Sequence, residues 1–286
     1  MEHLLEVTDL CKTYHTFSLK HVNVHVPKGS IVGFVGENGA GKTTTIKAII
    51  GAIKREQGDI RIFGQSIDTN PVKLKQDIGV VMEGSFFYEE FTPKQIARVL
   101  SGVYVNWDQA IFDAYLDKFK LPVTKKIKEF SKGMCMMLSL SIALSHGAKL
   151  LILDEPTSGL DPVVRNEMLD EFLEFIQDEE HGILLSSHIT TDLEKIADYI
   201  TFIHNGEIVF TEEKDELICN YGMLKCGASE FGQLNVTDFI GYRKGKFHIE
   251  ALVKNKTKMK KKYPDFLIDD VSIEEIVLFH VRGMNG

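Results

Sequence analysis

The sequence predicts an α/β fold with a parallel sheet at its centre, and three of its segments indicate this. Residues 30–35 form an apolar run of strand length, which leads through a glycine-rich loop into the start of a helix. Residues 150–153 form a second apolar run, which ends in two adjacent acids. Residues 182–188 form a third, which ends in a histidine. Because α/β sheets bind ligands at the carboxyl ends of their strands, we expect these polar ends to lie at a site.

Length and composition restrict the class of protein. At 286 residues the chain suggests about two domains, and its 44% hydrophobic and 26% charged residues are ordinary for a globular protein. The net charge of −8 argues against binding driven by overall positive charge, so we expect no nucleic-acid partner. The four cysteines show no zinc or CxxC spacing, which favours reduced cytosolic thiols.

The sequence contains no candidate for a membrane span. The first ten residues, MEHLLEVTDL, lack the basic and apolar segments of a signal peptide. No stretch approaches the roughly 18 uncharged apolar residues that a spanning helix needs. We therefore expect a soluble chain, so that any role at a membrane requires a partner with spanning helices.

The glycine-rich loop fits the phosphate-loop pattern, in which two glycines separated by four residues precede Lys and Thr. Backbone N–H groups of such a loop, with the helix N-terminus, form an anion cradle. Lys42 adds a point charge for the β- and γ-phosphates, and the Thr43 hydroxyl is placed to hold Mg²⁺. A chance match on an ordinary glycine-rich turn is the alternative, and the strand before and the helix after argue against it. The loop residues are Gly36, Glu37, Asn38, Gly39, Ala40, Gly41, Lys42, Thr43 and Thr44.

The two acids at the end of the second apolar run suit phosphoryl chemistry. A carboxylate after a buried strand can hold Mg²⁺ through water, the role we assign to Asp154. Glu155 beside it can orient or deprotonate an attacking water. If both acids only capped the strand, their burial without a cation would be costly, which argues against that alternative.

Other segments are less specific. Tyr14, in a loop upstream of the phosphate loop, could stack on a base or simply pack. The pattern WDQAIFDAYLDKF predicts a helix with Ile111, Tyr115 and Phe119 on one face. Six lysines between residues 254 and 262 form either a solvated face or a surface attracted to an anionic membrane or acidic partner.

Four motifs in order resemble those of the ATP-binding-cassette (ABC) ATPases: GENGAGKTTT, FSKGM, LLILDEPTSGLDP and LLSSH. The resemblance covers about residues 1–215. The FSKGM motif and the C-terminal extension resemble bacterial exporter ATPases encoded apart from their permease, which often export peptides or antibiotics. The resemblance implies an α/β P-loop NTPase (ABC ATPase) core with an antiparallel β subdomain, a helical subdomain and a small α+β C-terminal domain. We expect the first part of the core with the β subdomain in residues 1–84, the helical (signature) subdomain in 85–145, the second part of the core in 146–214 and the accessory domain in 215–286.

The resemblance also implies a mechanism. Two cassettes, identical or different, close head to tail around two ATP molecules with Mg²⁺, and so drive a separate membrane permease from the inner, cytoplasmic face of the cell membrane. Tyr14 would stack on adenine, and His188 would contact the γ-phosphate. Ser131 and Gly133 match the signature motif, which reaches the γ-phosphate bound to the other subunit. Asp161 matches the loop that links the two sites.

Three departures from the family pattern qualify that expectation. The signature is FSKGM, so Lys132 adds a cation that favours phosphate. The methionine-rich segment after it, with Met136, Met137 and Leu140, either packs in the core or faces the permease. Glu83 stands where relatives usually carry glutamine, and it could still touch Mg²⁺ through water.

The departures leave two alternatives to an energy-coupling ATPase. One is an ATP-gated regulatory module with little turnover, against which Lys42, Asp154, Glu155 and His188 argue. The other is an ABC protein of DNA repair or translation. Those proteins carry two cassettes or a long coiled coil, whereas this chain has one phosphate loop and no sustained heptads.

Overall fold

The computed structural model describes residues 2–84 and 87–282. In chain order the strands are β1 (His3–Thr13), β2 (Ser18–Pro27), β3 (Ser30–Val35), β4 (Gln57–Ile62), β5 (Gln65–Ser66), β6 (Ile78–Val81), β7 (Leu150–Asp154), β8 (Gly182–Ser187), β9 (Tyr199–His204), β10 (Glu207–Glu213), β11 (Tyr221–Cys226), β12 (Phe239–Lys244), β13 (Ile249–Lys254) and β14 (Leu267–Asp269). The α-helices are α1 (Lys42–Ile49), α2 (Pro71–Leu74), α3 (Pro93–Leu100), α4 (Gln109–Lys118), α5 (Lys132–Leu144), α6 (Pro162–Phe175), α7 (Thr190–Ile196), α8 (Lys214–Asn220), α9 (Ala228–Phe231), α10 (Lys256–Lys262) and α11 (Ile273–Arg282). None of the helices in these ranges is long and apolar enough to cross a bilayer.

The central sheet has the strand order β10-β9-β3-β8-β7-β6. All its neighbouring strands are parallel except the hairpin of β9 and β10. That hairpin turns at Asn205-Gly206, where both residues have positive φ, as the Asn-Gly pair predicts. The parallel register aligns Val35 with Ser187 and Asp154 with Ser186. The predicted parallel sheet is confirmed, and the carboxyl ends of β3, β8 and β7 lie side by side.

A second, antiparallel sheet of order β2-β1-β4-β5 covers one side of the central sheet. Leu5, Val7 and Leu10 of β1 are fully buried and pack in one core with Val32 and Phe34 of β3. The β1–β2 loop, which contains Tyr14, lies beside the phosphate loop, since a Cβ on Gly41 would lie 3.0 Å from the Phe17 ring.

Helices α3, α4 and α5 lie between β6 and β7 in the chain. Helix α5 packs closely on β6, because Gly79 has no side chain: a Cβ there would lie 2.9 Å from the Ala143 Cβ. Met136 and Met137 of α5 are buried, so the packing alternative is confirmed for them.

The expected face of α4 is only partly correct, because Phe119 packs against the core whereas Ile111 is exposed. Phe112 and Leu116 are the buried pair, whereas Ile111 is exposed. Phe112 and Leu116 are four residues apart, so they lie on the same side of α4. That side packs against the core. Tyr115 and Phe119 instead stack on one another, with ring centroids 5.6 Å apart.

The C-terminal residues form an antiparallel sheet of order β12-β13-β11-β14. Helix α11 joins this unit to α7, where the Glu194 carboxylate accepts a hydrogen bond from the Ile273 N–H at 2.7 Å. His280 of α11 contacts the rings of Phe202 and Phe210 at the β9–β10 edge, and burial lowers its pKa.

Among the residues that the structure describes, some lysines of the lysine-rich segment form ion pairs and others do not. Lys254, Lys256 and Lys262 form ion pairs with Glu212, Asp270 and Asp238, respectively. The exposed lysines on α10 outside these pairs are Lys258, Lys260 and Lys261. Half of the predicted positive surface is therefore neutralised within the chain.

Candidate active site

The phosphate-loop residues form a tight turn between β3 and α1. Gly39 and Gly41 have φ of +84° and +119°, which favour glycine. Gly36 is also required, since a Cβ there would lie 2.6 Å from the Ile203 carbonyl oxygen. Glu37, Asn38 and Gly39 are exposed at the tip, whereas Ala40 is buried beneath it.

Lys42, the first residue of α1, is only 6% exposed. Its Nζ donates hydrogen bonds to the carbonyl oxygens of Gly36, at 2.6 Å, and Glu37, at 3.3 Å. The same Nζ lies 3.2 Å from Oε1 of Glu155. Lys42 therefore joins the loop to the end of β7, although the two are more than a hundred residues apart in the chain.

Asp154, the last residue of β7, is buried and accepts two hydrogen bonds. Thr43 Oγ1 donates to Oδ2 at 2.8 Å, and Ser186 Oγ donates to Oδ1 at 2.7 Å. The hydroxyl and the carboxylate are hard oxygen donors of the kind that Mg²⁺ binds. Thr43 and Asp154 therefore fit the magnesium site that the sequence predicts. Sequence reasoning missed Ser186, although it lies in the same SSH run as the predicted histidine.

Glu155 has a backbone φ of +51°, which is uncommon for a residue with a side chain and recurs at functional sites. Its N–H donates to the Ser186 carbonyl oxygen at 3.1 Å, which holds the turn against β8. Its Oε2 lies 2.7 Å from Nδ1 of His188 and accepts from the His188 N–H at 3.2 Å. Three predicted residues, Lys42, Glu155 and His188, thus converge on one point.

The two oxygens of Glu155 differ in their surroundings. Oε2 is occupied by His188. Oε1 is buried and accepts no hydrogen bond from the described residues, although the Lys42 ammonium lies close to it. A buried carboxylate oxygen in this position has capacity for one further donor, such as a water molecule.

The signature residues lie at a different place. Ser131 caps α5, since its Oγ accepts a hydrogen bond from the Met134 N–H at 3.2 Å. Asp161 caps α6 by accepting from the N–H groups of Val163 and Val164. Ser131, Gly133 and Asp161 line one open cavity of about 370 Å³. Within the described ranges, no hydrogen bond or ion pair joins these three residues to Lys42, Thr43 or Glu155.

Three side chains that sequence reasoning missed, those of Thr157, Arg165 and Asp192, form a hydrogen-bonded group beside the site. The buried Asp192 of α7 accepts from Thr157 Oγ1 at 2.8 Å and from Arg165 Nε at 2.6 Å. These hydrogen bonds join α7, which follows His188, to the loop after β7 and to α6, which Asp161 caps.

Glu83 and Tyr14 complete the predicted set. The Glu83 carboxylate accepts a hydrogen bond from Lys132 Nζ at 3.1 Å, and its role toward Mg²⁺ stays a prediction. The residue Tyr14 is 44% exposed, and Lys12 Nζ lies 5.5 Å from its ring centroid. The exposed ring favours stacking over simple packing, and its adenine role stays a prediction.

The chain is similar to known ATP-binding proteins of ABC transporters. A family model described as ABC transporter matches residues 19–158. The bacitracin transport ATP-binding protein BcrA of Bacillus licheniformis is 36% identical over 212 residues, which span 73% of this chain and 69% of that protein. The lantibiotic transport ATP-binding protein SrtF of Streptococcus pyogenes is 34% identical over 215 residues, spanning 74% of this chain and 92% of that protein. A solved structure of an ATP-binding subunit of an ABC transporter has a TM-score of 0.69 and 32% identity, covering 75% of this chain and 91% of that one.

Proposed function

We propose a specific role for this chain, which belongs to the ABC transporter family of ATP-hydrolysing subunits. In this proposal the chain closes on ATP with a second such subunit and thereby drives a separate membrane permease. The cargo we propose is a peptide or antimicrobial compound that is exported. The names of the bacitracin and lantibiotic relatives support that cargo class. The chain would then act on the cytoplasmic face of the membrane.

The observation that carries the proposal is the cluster of Lys42, Glu155 and His188. Lys42 binds the β- and γ-phosphates of ATP as a point charge, while the loop N–H groups surround them. Glu155 Oε1, which accepts no hydrogen bond from the residues that the structure describes, orients the attacking water and takes its proton. His188 is held through Nδ1 by Glu155 Oε2, so Nε2 is the nitrogen left to contact the γ-phosphate.

Magnesium fits the oxygen donors at this site. Thr43 Oγ1 and Asp154 Oδ2 would hold Mg²⁺, which supplies charge neutralisation at the β- and γ-phosphates. Ser186 keeps the Asp154 carboxylate in place through Oδ1. A contact from Glu83 to Mg²⁺ through water is a separate proposal, which requires the Glu83 carboxylate to leave Lys132.

A second subunit is needed for the signature residues to act. Ser131, Gly133 and Asp161 line a cavity separate from the phosphate-loop cluster, so they would serve the ATP of the facing subunit. Tyr14 would stack on the adenine of the ATP held by its own subunit. This arrangement is the head-to-tail dimer that the family resemblance implies.

An apolar groove offers a contact for the permease. It has a volume of about 400 Å³ and lies between α1, the end of β6 and the helices α3 and α5. Ile50, Met82, Leu100 and Ile142 line it, and Met82 directly precedes Glu83. An apolar helix of the permease seated there would contact the segment that connects to the ATP site.

The first test is ATP turnover by the purified chain with Mg²⁺. We expect Glu155→Gln to reduce turnover by about 10²- to 10⁴-fold, because the proton acceptor is lost, while ATP binding persists, because Lys42 and the loop N–H groups that bind the phosphates remain. Glu171→Gln is the matched control, since Glu171 is also a buried glutamate near a lysine, Lys118, but lies on α6 outside the cluster. It should keep turnover within about two-fold. If Glu155→Gln and the parent turned over ATP at the same rate, Glu155 would not be the proton acceptor. If the parent bound ATP without turnover, an ATP-gated module would be favoured.

The second test addresses the groove. Leu100→Glu places a charge on its apolar wall, so we expect sedimentation with membranes that contain the permease to be lost. Val105→Glu is the control, because Val105 is 86% exposed and does not line the groove. Retention of Leu100→Glu on those membranes, with normal turnover showing that it is folded, would contradict the docking site.

A further inference from the structure

The structure brings together two positions at which this chain departs from the family pattern. Glu83 lies two residues after β6, and Lys132 is the first residue of α5. Lys132 Nζ donates to Glu83 Oε1 at 3.1 Å. The two side chains are 44% and 52% exposed, so the pair lies at the surface. The unusual glutamate and the unusual lysine are therefore partners in one ion pair.

The position of Lys132 explains why it needs an anion. A helix N-terminus carries partial positive charge, which disfavours an ammonium group there. The first turn of α5 contains no acidic residue that could offset it. Glu83 supplies that negative charge from the segment after β6. Lys132 also lies against Gly159, whose Cβ position would be 3.4 Å from Nζ, so the ammonium is held beside the loop that leads to Asp161.

We propose that Glu83 is a positioning residue that holds Lys132 on its own subunit until ATP-driven closure moves Lys132 to the γ-phosphate of the facing subunit. The inference rests on the head-to-tail closure proposed above. A phosphate is a stronger partner for an ammonium than a half-exposed carboxylate, so the exchange is favourable once the interface forms. The ion pair has to break first, which raises the ATP concentration that closure requires.

The proposal makes a prediction that separates it from a role of Glu83 toward Mg²⁺. If Glu83 acts through Lys132, replacing Glu83 has an effect only while Lys132 is present. If Glu83 acts through Mg²⁺, the effect of its replacement does not depend on Lys132. A double-mutant cycle of the two positions therefore distinguishes them.

The experiment uses the full chain with Glu155→Gln, which binds ATP but turns it over slowly. Light scattering at increasing ATP concentration, with Mg²⁺ present, gives the concentration for half-maximal dimer formation. We expect E83Q, which restores the usual family residue, to lower that concentration about two- to five-fold. In a chain that carries K132Q, adding E83Q should change the ATP concentration for half-maximal dimer formation by less than about 1.3-fold. A change that small is within the scatter expected for uncoupled sites.

Three outcomes overturn the proposal. A half-maximal concentration unchanged by E83Q shows that the pair does not oppose closure. An equal shift from E83Q with and without K132Q shows that Glu83 acts by another route, such as Mg²⁺. If the Glu155→Gln parent forms no ATP-dependent dimer, the proposed closure does not occur. This outcome is seen before Glu83 or Lys132 is replaced.

Discussion

The phosphate-loop end and the signature end of this chain differ in how fully their charged groups are buried. At the phosphate-loop end, Lys42, Asp154 and Glu155 are buried, and their charges are met by partners within the chain. At the signature end, Lys132 and Asp161 are exposed and line an open cavity. The buried groups are held in place before a ligand arrives, whereas Lys132 is held only by an exposed ion pair with Glu83, which contributes little in water. The comparison explains why we assign chemistry to the first end and closure to the second.

The largest effect should come from breaking the buried pair. Lys42→Met leaves the Glu155 carboxylate buried without its cation, so we expect the free energy of unfolding to fall by about 3–5 kcal/mol. Turnover should fall by at least about 100-fold, because the charge that binds the phosphates is lost. Denaturant unfolding and an ATPase assay measure the two effects.

The double variant Lys42→Met, Glu155→Gln provides the control for that prediction. Removing both charges should recover most of the lost stability without restoring turnover, since no isolated charge then stays buried. A double variant as unstable as Lys42→Met would show that the pair contributes little and that the two ends differ less than we infer.

A smaller effect is expected at Ser186, which supports Asp154. Ser186→Ala removes one of two hydrogen bonds to a buried carboxylate, and we expect a loss of about 2 kcal/mol in the free energy of unfolding. Ser139→Ala is the control, since Ser139 donates only to the Cys135 carbonyl oxygen within α5. That change should stay within about 0.5 kcal/mol, because alanine suits a helix interior. Equal losses at both positions would mean that Asp154 does not depend on Ser186.

The smallest effect on stability should come from the signature end. Ser131→Ala removes the cap of α5 and should cost about 1 kcal/mol, whereas Ser131→Gly should cost only a few tenths of a kcal/mol. Ser131→Gly nevertheless lacks the hydroxyl that would reach the facing ATP, so we expect its turnover to fall at least about ten-fold. If turnover of Ser131→Gly matched that of the parent, Ser131 would act only as a helix cap.

Local patterns in the sequence account for most of the fold near the site. The strand, glycine-rich loop and helix of residues 30–49 were predictable, because apolar runs and glycines determine them over a few residues. The buried face of α4 was not, since two adjacent stripes of that helix are apolar. Burial of Phe112 rather than Ile111 depends on how α4 packs on α5.

The partners of the buried charges were also beyond sequence reasoning. Ser186 contacts Asp154 because β7 and β8 pair in parallel with those two residues in register. Asp192 meets Arg165 because α6 and α7 pack together. Such contacts join residues about 30 positions apart, and neither helical nor strand periodicity encodes them.

The sequence by itself determined which residues are available for chemistry, because motif spacing places Lys42, Thr43, Asp154, Glu155 and His188 at the ends of strands and the start of a helix. It also determined the family, since four motifs stand in the family order. Only the tertiary structure decided which charges meet: Lys42 with Glu155, and Lys132 with Glu83. The physical reason is that electrostatic pairing depends on distance in space, and the order of strands in the sheet and the packing of α5 on β6 determine that distance.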